Sequence, residues 1–333
     1  MNARSILAGA IALAALAGPA AAQMIKVATF VPEKSVGVAR VIKPWMEAVQ
    51  ADLGDAVRLQ GFWGGTLGKD PFKQFELVRN GVADVTWVLP GYTAGQFPQM
   101  TVFELPFLFR DAVEASVVGW RLHERGLLDG LEDVHLVGFF AAEPSHVHLK
   151  RPVARLEEIS GLKIRSVGPI HAQWLEVMGA APQTLSSAEM NEALNRGTID
   201  GVIQSWSGMR TFKTLDLVSQ TIEVPIGVIP FLLVMNKTTW EGLTPQAQAA
   251  VMAHGAIAMA RSGGQAYKDV GAEIRADVAA QGRIELLTPD EADIERYRAM
   301  AEPVYARWIA ETPNGRAVLD AAIEEIAAYR AGR

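Results

Sequence analysis

The sequence contains no cysteine among its 333 residues. This absence excludes disulfide bonds, thiolate metal ligands, thiol nucleophiles and a lipid attached to an N-terminal cysteine. Long hydrophobic runs are scarce too, because the apolar run over residues 6–17 is shorter than the roughly 20 residues that span a bilayer. That run follows Arg4 and precedes three alanines at residues 20–22, which is typical of a secretory signal peptide. We expect residues 1–22 to be cleaved and the mature chain to be periplasmic and not membrane-embedded.

Basic residues are in the minority. The chain has 31 lysines and arginines against 37 aspartates and glutamates, a net charge of −6. An acidic chain is poorly suited to nucleic acid or to an anionic membrane surface, so we expect neither as a partner. A small anionic ligand is not disfavoured, because one arginine in a pocket acts at contact range while the field of the whole molecule is screened within about 8 to 10 Å.

Signatures of enzymes and of nucleotide binding are missing as well. The sequence has no G-x-S-x-G and no H-E-x-x-H, and His123-Glu124 lacks the second histidine. The glycine-rich residues 63–68 lack both G-x-G-x-x-G and a Gly-Lys-Ser/Thr ending, which favours a tight connecting loop over a phosphate cradle. A secreted hydrolase is therefore the least favoured function, and we expect no catalytic residue.

Two histidines, His146 and His148, alternate on a predicted strand close to Glu143. Two imidazoles without a further histidine or cysteine nearby make an incomplete metal site. The pattern favours a solvated or pocket-lining role for His146, and we expect no metal and no cofactor.

The hydrophobic pattern predicts two α/β domains. The mature chain, with 50% hydrophobic residues in the sequence, is longer than one small core organises. Residues 25–30 and 57–62 alternate as strands, with helical spacing between them. Residues 78–85 and 194–201 both read as helix end, glycine and strand. One interpretation is that helix, glycine and strand form a common local sequence pattern without further meaning. The other is that two similar halves face each other and their strand ends form a shared crevice, where open α/β sheets bind ligands.

Three further segments predict how the halves are joined. Residues 143–152 leave a strand and contain two prolines, which is suited to a crossing between domains. Residues 231–235 are apolar and are predicted to return to the first domain as a strand. Residues 244–281 are almost continuously helical, and a helix of that length can bridge two domains. Residues 289–311 and 314–331 are predicted as amphipathic C-terminal helices.

The stretch G-L-K-I-R-S-V-G at residues 161–168 carries the strongest candidate for ligand binding. Its alternation predicts a short strand, and Pro169 suits the first turn of a helix. Arg165 would then lie at the end of a strand and beside a helix N-terminus, where a carboxylate fits its fork-shaped guanidinium. The alternative is an ordinary surface or ion-paired arginine.

Six short motifs occur in a recognisable order along the chain. They are G-T-L-G at 65–68, N-G-V-A-D at 80–84, F-P and E-L-P-F at 97–107, G-L-K-I-R at 161–165, G-T-I-D-G at 197–201, and M-N-K at 235–237 with Trp240. With them the sequence resembles the DctP-type solute-binding proteins of tripartite ATP-independent periplasmic (TRAP) transporters, over essentially the whole mature chain.

This resemblance implies a fold and a function. The fold is α/β, a two-domain periplasmic binding protein of the Venus-flytrap type with crossing strands and a long domain-bridging helix. Domain I comprises residues 23–144 and 230–272, and domain II residues 145–229 and 273–333. The implied function is to capture a small organic carboxylate between the domains and deliver it to the membrane subunits of an ion-coupled TRAP transporter. A ligand-sensing module for a signalling receptor uses the same closing cleft and is the alternative.

The resemblance also implies ligand contacts. Arg165 pairs with the ligand carboxylate, as the arginine of this motif does in the family. A second arginine, frequent in the family near residues 143–146, is absent here, which points to a monocarboxylate with an apolar or cyclic body. The remaining ligand-binding candidates are Gln204, Ser205 and Trp206 after the D-G pair, Phe30, Trp63 and Trp87 on the first domain, and His146 and Phe231 at the crossings.

Overall fold

The computed structural model describes residues 23–333, and the predicted signal peptide lies outside the described residues. This part of the chain forms eleven strands and twelve helices. The strands are β1 (Gln23–Ala28), β2 (Val57–Phe62), β3 (Val85–Val88), β4 (Val134–Ala141), β5 (His146–Leu149), β6 (Lys163–Ser166), β7 (Ala181–Thr184), β8 (Gly201–Gln204), β9 (Gln220–Ile222), β10 (Pro230–Asn236) and β11 (Glu285–Leu287). The helices are α1 (Lys43–Leu53), α2 (Gln74–Arg79), α3 (Ala112–Glu124), α4 (Pro169–Val177), α5 (Met190–Arg196), α6 (Trp206–Thr211), α7 (Lys237–Gly242), α8 (Pro245–His254), α9 (Ala256–Gln281), α10 (Glu291–Met300), α11 (Glu302–Glu311) and α12 (Gly315–Arg330).

The strands form two separate sheets. The first has the order β2-β1-β3-β10-β4, in which β1 runs parallel to β2 and β3, and β10 runs antiparallel to both of its neighbours. The second has the order β11-β9-β5-β8-β6-β7, with β6 parallel to β7 and β8. We call the first sheet with the loops between β1 and β4 the first lobe, and the second sheet with the segments between β5 and β9 the second lobe. The predicted two-domain α/β fold is confirmed.

Two antiparallel segments connect the lobes, as the sequence predicts. The chain leaves the first sheet after β4 and returns to it at β10. Backbone hydrogen bonds tie the two segments together, from Ala142 N to Ile229 O (3.0 Å) and from Ser145 N to Gly227 O (2.9 Å). The stretch before α3 joins them, because Val228 N donates to Phe103 O (2.9 Å). Three segments therefore form the hinge between the lobes.

Helix α9 bridges the lobes over its 26 residues, about 39 Å of helix. Its first half packs on β4 and α3, and its second half packs on α6. The predicted continuous helix from residue 244 is interrupted at Gly255, whose φ of −87° and ψ of −140° are not helical. A Cβ atom at this residue would lie 2.3 Å from the carbonyl oxygen of Val137, so only glycine fits here. The chain therefore breaks into α8 and α9 where it passes over the first sheet.

The C-terminal helices contact both lobes, with α12 packed on α3 and α11 packed on α4. The predicted segment at residues 289–311 divides into α10 and α11. Because these helices contact both lobes, the residue boundaries of the two domains remain a prediction. Within residues 23–333, none of the helices combines the length and the apolar character needed to cross a membrane.

Candidate functional site

A cavity lies between the lobes, with about 470 Å³ of space among its lining residues, part of it continuous with solvent. Aromatic rings dominate the wall from the first lobe and α9: Trp87 and Phe231 meet edge to face at 4.9 Å, and Tyr267 lies 5.3 Å from Phe231. Adjacent strands β3 and β10 place these side chains together, because both strands present them to the same face.

The second lobe contributes most of the polar groups of the wall. They come from the loop after β7 and from the end of β8 with the first turn of α6: Ser187, Gln204, Ser205 and Ser207. Ser205 caps α6, since its Oγ accepts a hydrogen bond from Gly208 N (3.2 Å). The carboxyl ends of β6 and β8 thus face the cavity, as the strand-end rule for open α/β sheets predicts.

Arg165 lies at the end of β6, behind Ser187 and Tyr92. Its side chain is fully buried, with 0% exposure. Nε donates to Leu185 O (2.8 Å) and Nη1 donates to Ile203 O (3.1 Å), which fixes the guanidinium plane. Nη2 contacts Tyr92 Oη and Ser187 Oγ, both at 3.3 Å. Among residues 23–333, the guanidinium forms a salt bridge with no carboxylate.

Donors outnumber acceptors where Arg165, Tyr92, Ser187 and Gln204 meet, and we call these four residues the polar corner. Ser187 Oγ is approached by Arg165 Nη2, by Gln204 Nε2 (3.3 Å) and by Tyr92 Oη (2.9 Å). Tyr92 Oη also accepts from Ser187 N (2.8 Å). Two hydroxyl oxygens are thus the acceptors for several N–H and O–H groups. An acceptor-only group such as a carboxylate complements this arrangement.

A second buried hydrogen-bond network lies along the same wall of the cavity. Glu143, in the crossing segment, accepts from Ser207 N (2.6 Å) and from Ser207 Oγ (2.9 Å), and Ser207 Oγ lies 3.1 Å from Ser205 Oγ. Burial raises the pKa of the Glu143 carboxyl to about 7, against the lowering effect of the Ser207 hydrogen bonds. This network therefore connects a titratable group in the hinge to two hydroxyl groups of the cavity wall.

A second buried acid, Glu104, lies in the hinge near Arg165. Neither of its carboxyl oxygens has a hydrogen-bond partner among the described residues. Burial raises its pKa to about 8, although the Arg165 charge lowers it. Burial in turn lowers the pKa of Arg165, while Tyr92 and Glu104 raise it. At neutral pH Glu104 is therefore mostly protonated and does not neutralise the guanidinium.

The structure brings most of the predicted site residues together. Phe30, Trp87, Gln204, Ser205 and Phe231 line the cavity. Arg165 is one layer behind them and is neither a surface nor an ion-paired arginine, which removes the alternative interpretation.

Three predicted site residues lie elsewhere. Trp206 follows the cap Ser205, and its ring points into the core of the second lobe, 5.0 Å from His148. His146 lies beside that ring, with Nδ1 3.2 Å from Val224 O in the crossing segment. Trp63 folds back over Gly61 on β2, the edge strand of the first sheet. None of the three lines the cavity, because each has a closer packing partner within its own lobe.

His148 has a structural role that the sequence did not show. Its Nε2 donates to Gln204 O (3.0 Å) and its Nδ1 lies 2.8 Å from Thr221 Oγ1, so both ring nitrogens are used within the sheet. Burial lowers the pKa of His148 to about 3, which keeps the ring neutral. This contact fixes the backbone of Gln204 at the edge of the cavity.

The lining residues that sequence reasoning missed include Tyr92, Ser187, Ser207 and Tyr267. Tyr92 follows β3 by four residues, so the strand-end rule points to its loop but not to this side chain. Tyr267 lies on α9, where a tyrosine in a helix pattern reads as core. No local signal distinguishes these residues before the two lobes are placed together.

The sequence matches a family model, DctP, described as bacterial extracellular solute-binding protein, family 7, over residues 27–312. The chain belongs to this family. The protein YiiZ of Salmonella typhimurium is 28% identical over 226 residues, which is 62% of this chain and 64% of YiiZ, so the alignment leaves about a third of that relative uncovered.

Solved structures of DctP-type proteins resemble the chain over nearly its whole described length. A TRAP solute-binding protein from a marine metagenome, specific for aromatic acid ligands and bound to metahydroxyphenylacetate, is 26% identical and covers 92% of this chain and 99% of its own, with a TM-score of 0.88. A TRAP solute-binding protein from Rhodoferax ferrireducens with copurified benzoate is 25% identical and covers 92% and 98%, with a TM-score of 0.87. The resemblance inferred from the motifs is confirmed, and the chain is a solute-binding protein of the TRAP type.

Proposed function

We propose that this protein binds a small organic monocarboxylate with an aromatic or cyclic body in the cavity between its lobes and delivers it to the membrane subunits of a TRAP transporter. The observation that carries the proposal is the buried guanidinium of Arg165, which has no carboxylate partner among residues 23–333 and lies at a donor-rich corner of the cavity. An unpaired buried charge is destabilised by several kcal/mol. A ligand carboxylate supplies the missing charge and the missing acceptor.

The number of cations supports a single carboxylate. No lysine, arginine or histidine is among the residues that line the cavity, and Arg165 behind them is the cation of the polar corner. A second carboxylate on the ligand would lie against Trp87, Phe231 and Tyr267, where burial without a partner is costly. Dicarboxylates are therefore disfavoured.

The aromatic wall supports a flat, apolar body. Trp87, Phe231 and Tyr267 surround the space beyond the polar corner, and aromatic pairs contribute about 0.5 to 1.5 kcal/mol beyond the area they bury. Both similar structures described above hold aromatic acids. Benzoate-like and phenylacetate-like acids fit these observations.

The mechanism is a population shift between an open and a closed arrangement of the lobes. The wall of the cavity comes from both lobes, so a ligand that contacts both favours the closed form by the difference between its affinities for the two forms. The closed form is then the one that the membrane subunits recognise.

Calorimetry with a panel of acids tests the proposal. The panel contains benzoate, 3-hydroxybenzoate, 3-hydroxyphenylacetate, mandelate and succinate. We expect at least one aromatic monocarboxylate to bind and succinate to bind more weakly. Arg165→Ala should lose more than a hundredfold in affinity, since a charge-assisted pair and its buried partner are both removed. Arg165→Lys should lose less, because it keeps the charge without the fork.

The matched control is Arg210→Ala. Arg210 lies on α6 but is half-exposed and paired with Glu273 and Asp277, so its loss should leave the affinity within about twofold. Thermal unfolding reports whether each variant is folded. Parent-like affinity in a folded Arg165→Ala variant would show that the anchor is elsewhere, and a preference for succinate would refute the monocarboxylate. Uptake into proteoliposomes that contain the TRAP membrane subunits separates transport from sensing.

A further inference from the structure

Tyr92 connects the two lobes at the polar corner. It belongs to the first lobe, in the 3₁₀ turn Pro90–Thr93 after β3, and its ring packs on Phe72 (4.9 Å between centroids). Its hydroxyl reaches the second lobe, where it accepts from Ser187 N (2.8 Å) and lies 2.9 Å from Ser187 Oγ. The ring is thus held by one lobe and the hydroxyl by the other.

The backbones of the lobes approach closely beside Tyr92. A Cβ atom at Gly168, which precedes α4, would lie 2.7 Å from the carbonyl oxygen of Gly91. No side chain fits between the two backbones at this point. The Tyr92 hydroxyl therefore meets Ser187 beside a close backbone contact between the lobes.

The hydrogen-bond geometry at this contact is unsaturated. Tyr92 Oη takes one short bond from Ser187 N and can give its own proton to Ser187 Oγ. Only one of the two hydroxyls can donate in this contact, and the proton of the other hydroxyl has no acceptor among the hydrogen bonds of the described polar corner, in which the Gln204 carboxamide oxygen already accepts from Ser205 N. Both contacts of Arg165 Nη2 are 3.3 Å long, beyond the 2.7 to 2.9 Å typical of charge-assisted bonds. The polar corner therefore lacks one strong hydrogen-bond acceptor. The missing acceptor would lie between the side chains of Tyr92, Ser187 and Arg165.

We propose that Tyr92 and Ser187 form a two-part latch that reads the ligand carboxylate. One carboxylate accepts from Arg165 and Ser187 of the second lobe and from the Tyr92 hydroxyl of the first, so the carboxylate itself ties the lobes together. This inference rests on the proposed function and deepens it, because it assigns selectivity for the acid over its neutral analogues to a residue outside the arginine motif. The aromatic wall then selects the apolar part of the ligand. The latch selects its carboxylate, because only a carboxylate accepts hydrogen bonds from both lobes at once.

Tyr92→Phe and Ser187→Ala test the latch, with Tyr329→Phe as the matched control. All three remove one hydroxyl, but Tyr329 lies on α12 and is not among the residues that line the cavity. The probes are the aromatic acids of the panel and the neutral amide of each, such as benzamide for benzoate. For the acids, Tyr92→Phe and Ser187→Ala should each weaken binding about ten- to a hundredfold, as for the loss of a hydrogen bond to a charged group. Tyr329→Phe should leave the affinity for the acids within about threefold.

Two further readouts separate a contact with the carboxylate from a merely structural role. The ratio of acid to amide affinity should fall at least tenfold in Tyr92→Phe and stay unchanged in Tyr329→Phe. For the acid but not for the amide, the double variant Tyr92→Phe/Ser187→Ala should lose less than the product of the two single losses, because both hydroxyls act on one carboxylate; coupling through their direct contact alone would appear equally with both probes.

Each outcome decides the inference. If the parent protein binds an acid and Tyr92→Phe binds it equally well, the latch is refuted while the proposed function stands. If Tyr92→Phe weakens acid and amide alike, the hydroxyl acts through packing and the latch is refuted as well. If the parent binds none of the acids, the proposed function fails and the latch fails with it.

Discussion

At the scale of single residues, Glu104 is the most unusual group in the structure. Its side chain is fully buried, and glycines from three segments surround it: Cβ atoms at Gly91, Gly168 and Gly227 would lie 2.2, 3.5 and 2.3 Å from Glu104 atoms. These glycines belong to the loop after β3, the start of α4 and the returning crossing segment. The Glu104 carboxyl group is therefore packed against the loop after β3 and the start of α4, while its backbone packs against the returning crossing segment.

Glu104→Gln should change how stability depends on pH. The pKa of this carboxyl is raised from 4.5 to about 8 by burial, so the folded protein holds a proton that the unfolded chain releases. The contribution of this proton to the free energy of unfolding is fully present below about pH 4.5. It is lost as the pH rises through 8, at up to about 1.4 kcal/mol per pH unit. Urea unfolding from pH 5.5 to 8.5 should show the parent losing stability relative to the glutamine variant. Other titrating groups cancel in that difference, so parallel curves would contradict the shift.

Individual site residues were predictable only where the backbone pattern determines their direction. Phe30, Trp87 and Gln204 lie at strand ends, and strand ends of α/β sheets face the ligand crevice. Trp206 was misplaced because a helix turns its side chains by about 100° per residue, which sends the residue after a cap away from the cavity. Tyr92 was missed because its role arises from a contact with Ser187, 95 residues away, and a local pattern contains no such contact.

At the scale of elements, the lobes are coupled through α9 and the crossing segments. Gly271 of α9 lies against Glu143, whose carboxyl holds the first turn of α6 through Ser207. A Cβ atom at Gly271 would be 2.7 Å from Glu143 Cδ. The glycine in this helix is therefore explained by close packing against the hinge and not by helix formation, which it disfavours.

Gly271→Ala should destabilise the protein although alanine is the better helix former. The methyl group displaces the Glu143 carboxyl and disrupts two hydrogen bonds to Ser207, at about 1.5 to 3 kcal/mol for bonds to a charged group, against about 1 kcal/mol from helix propensity. Urea unfolding should show a net loss of roughly 1 to 2 kcal/mol.

Two comparisons isolate that effect. In a Glu143→Ala background the same change should become neutral or stabilising, since the clash is gone. Gly242→Ala, at a helix position with open space around it, should change the stability by less than about 0.5 kcal/mol. Equal losses in both backgrounds would disprove the role of Glu143.

The elements themselves follow the sequence well. Alternation predicted β1 and β2, and the apolar spacing predicted the long bridging helix and the C-terminal helices. The break at Gly255 was not predictable, because it lies at a close contact with the Val137 carbonyl of β4, far away in the sequence, and a local pattern contains no such contact. Sheet order was not predictable either, since β10 inserts between β3 and β4 after the chain has built most of the second lobe.

At the scale of the whole molecule, the proposed ligand site lies close to two buried acids. Arg165 is behind the polar corner, Glu104 lies near it in the hinge, and Glu143 accepts hydrogen bonds from Ser207 of the cavity wall. Burial raises the pKa of both glutamates, to about 8 and about 7. The proposed carboxylate would therefore be bound near groups that are neutral at low pH and become negative as the pH rises.

Affinity for the bound aromatic acid should fall as the pH rises from 6 to 9.5. The probe acids stay ionised throughout, whereas Glu143 and Glu104 become negative near pH 7 and pH 8 and repel the carboxylate. By linkage the ligand raises both pKa values, so binding takes up protons in this window. At an effective dielectric of about 20, each charge opposes binding by on the order of 1 to 2 kcal/mol, roughly tenfold in Kd. Calorimetry in two buffers of different ionisation enthalpy measures the uptake. Glu143→Gln should remove the step near pH 7 and Glu104→Gln the step near pH 8, whereas a constant Kd in the parent would show that neither acid senses the ligand.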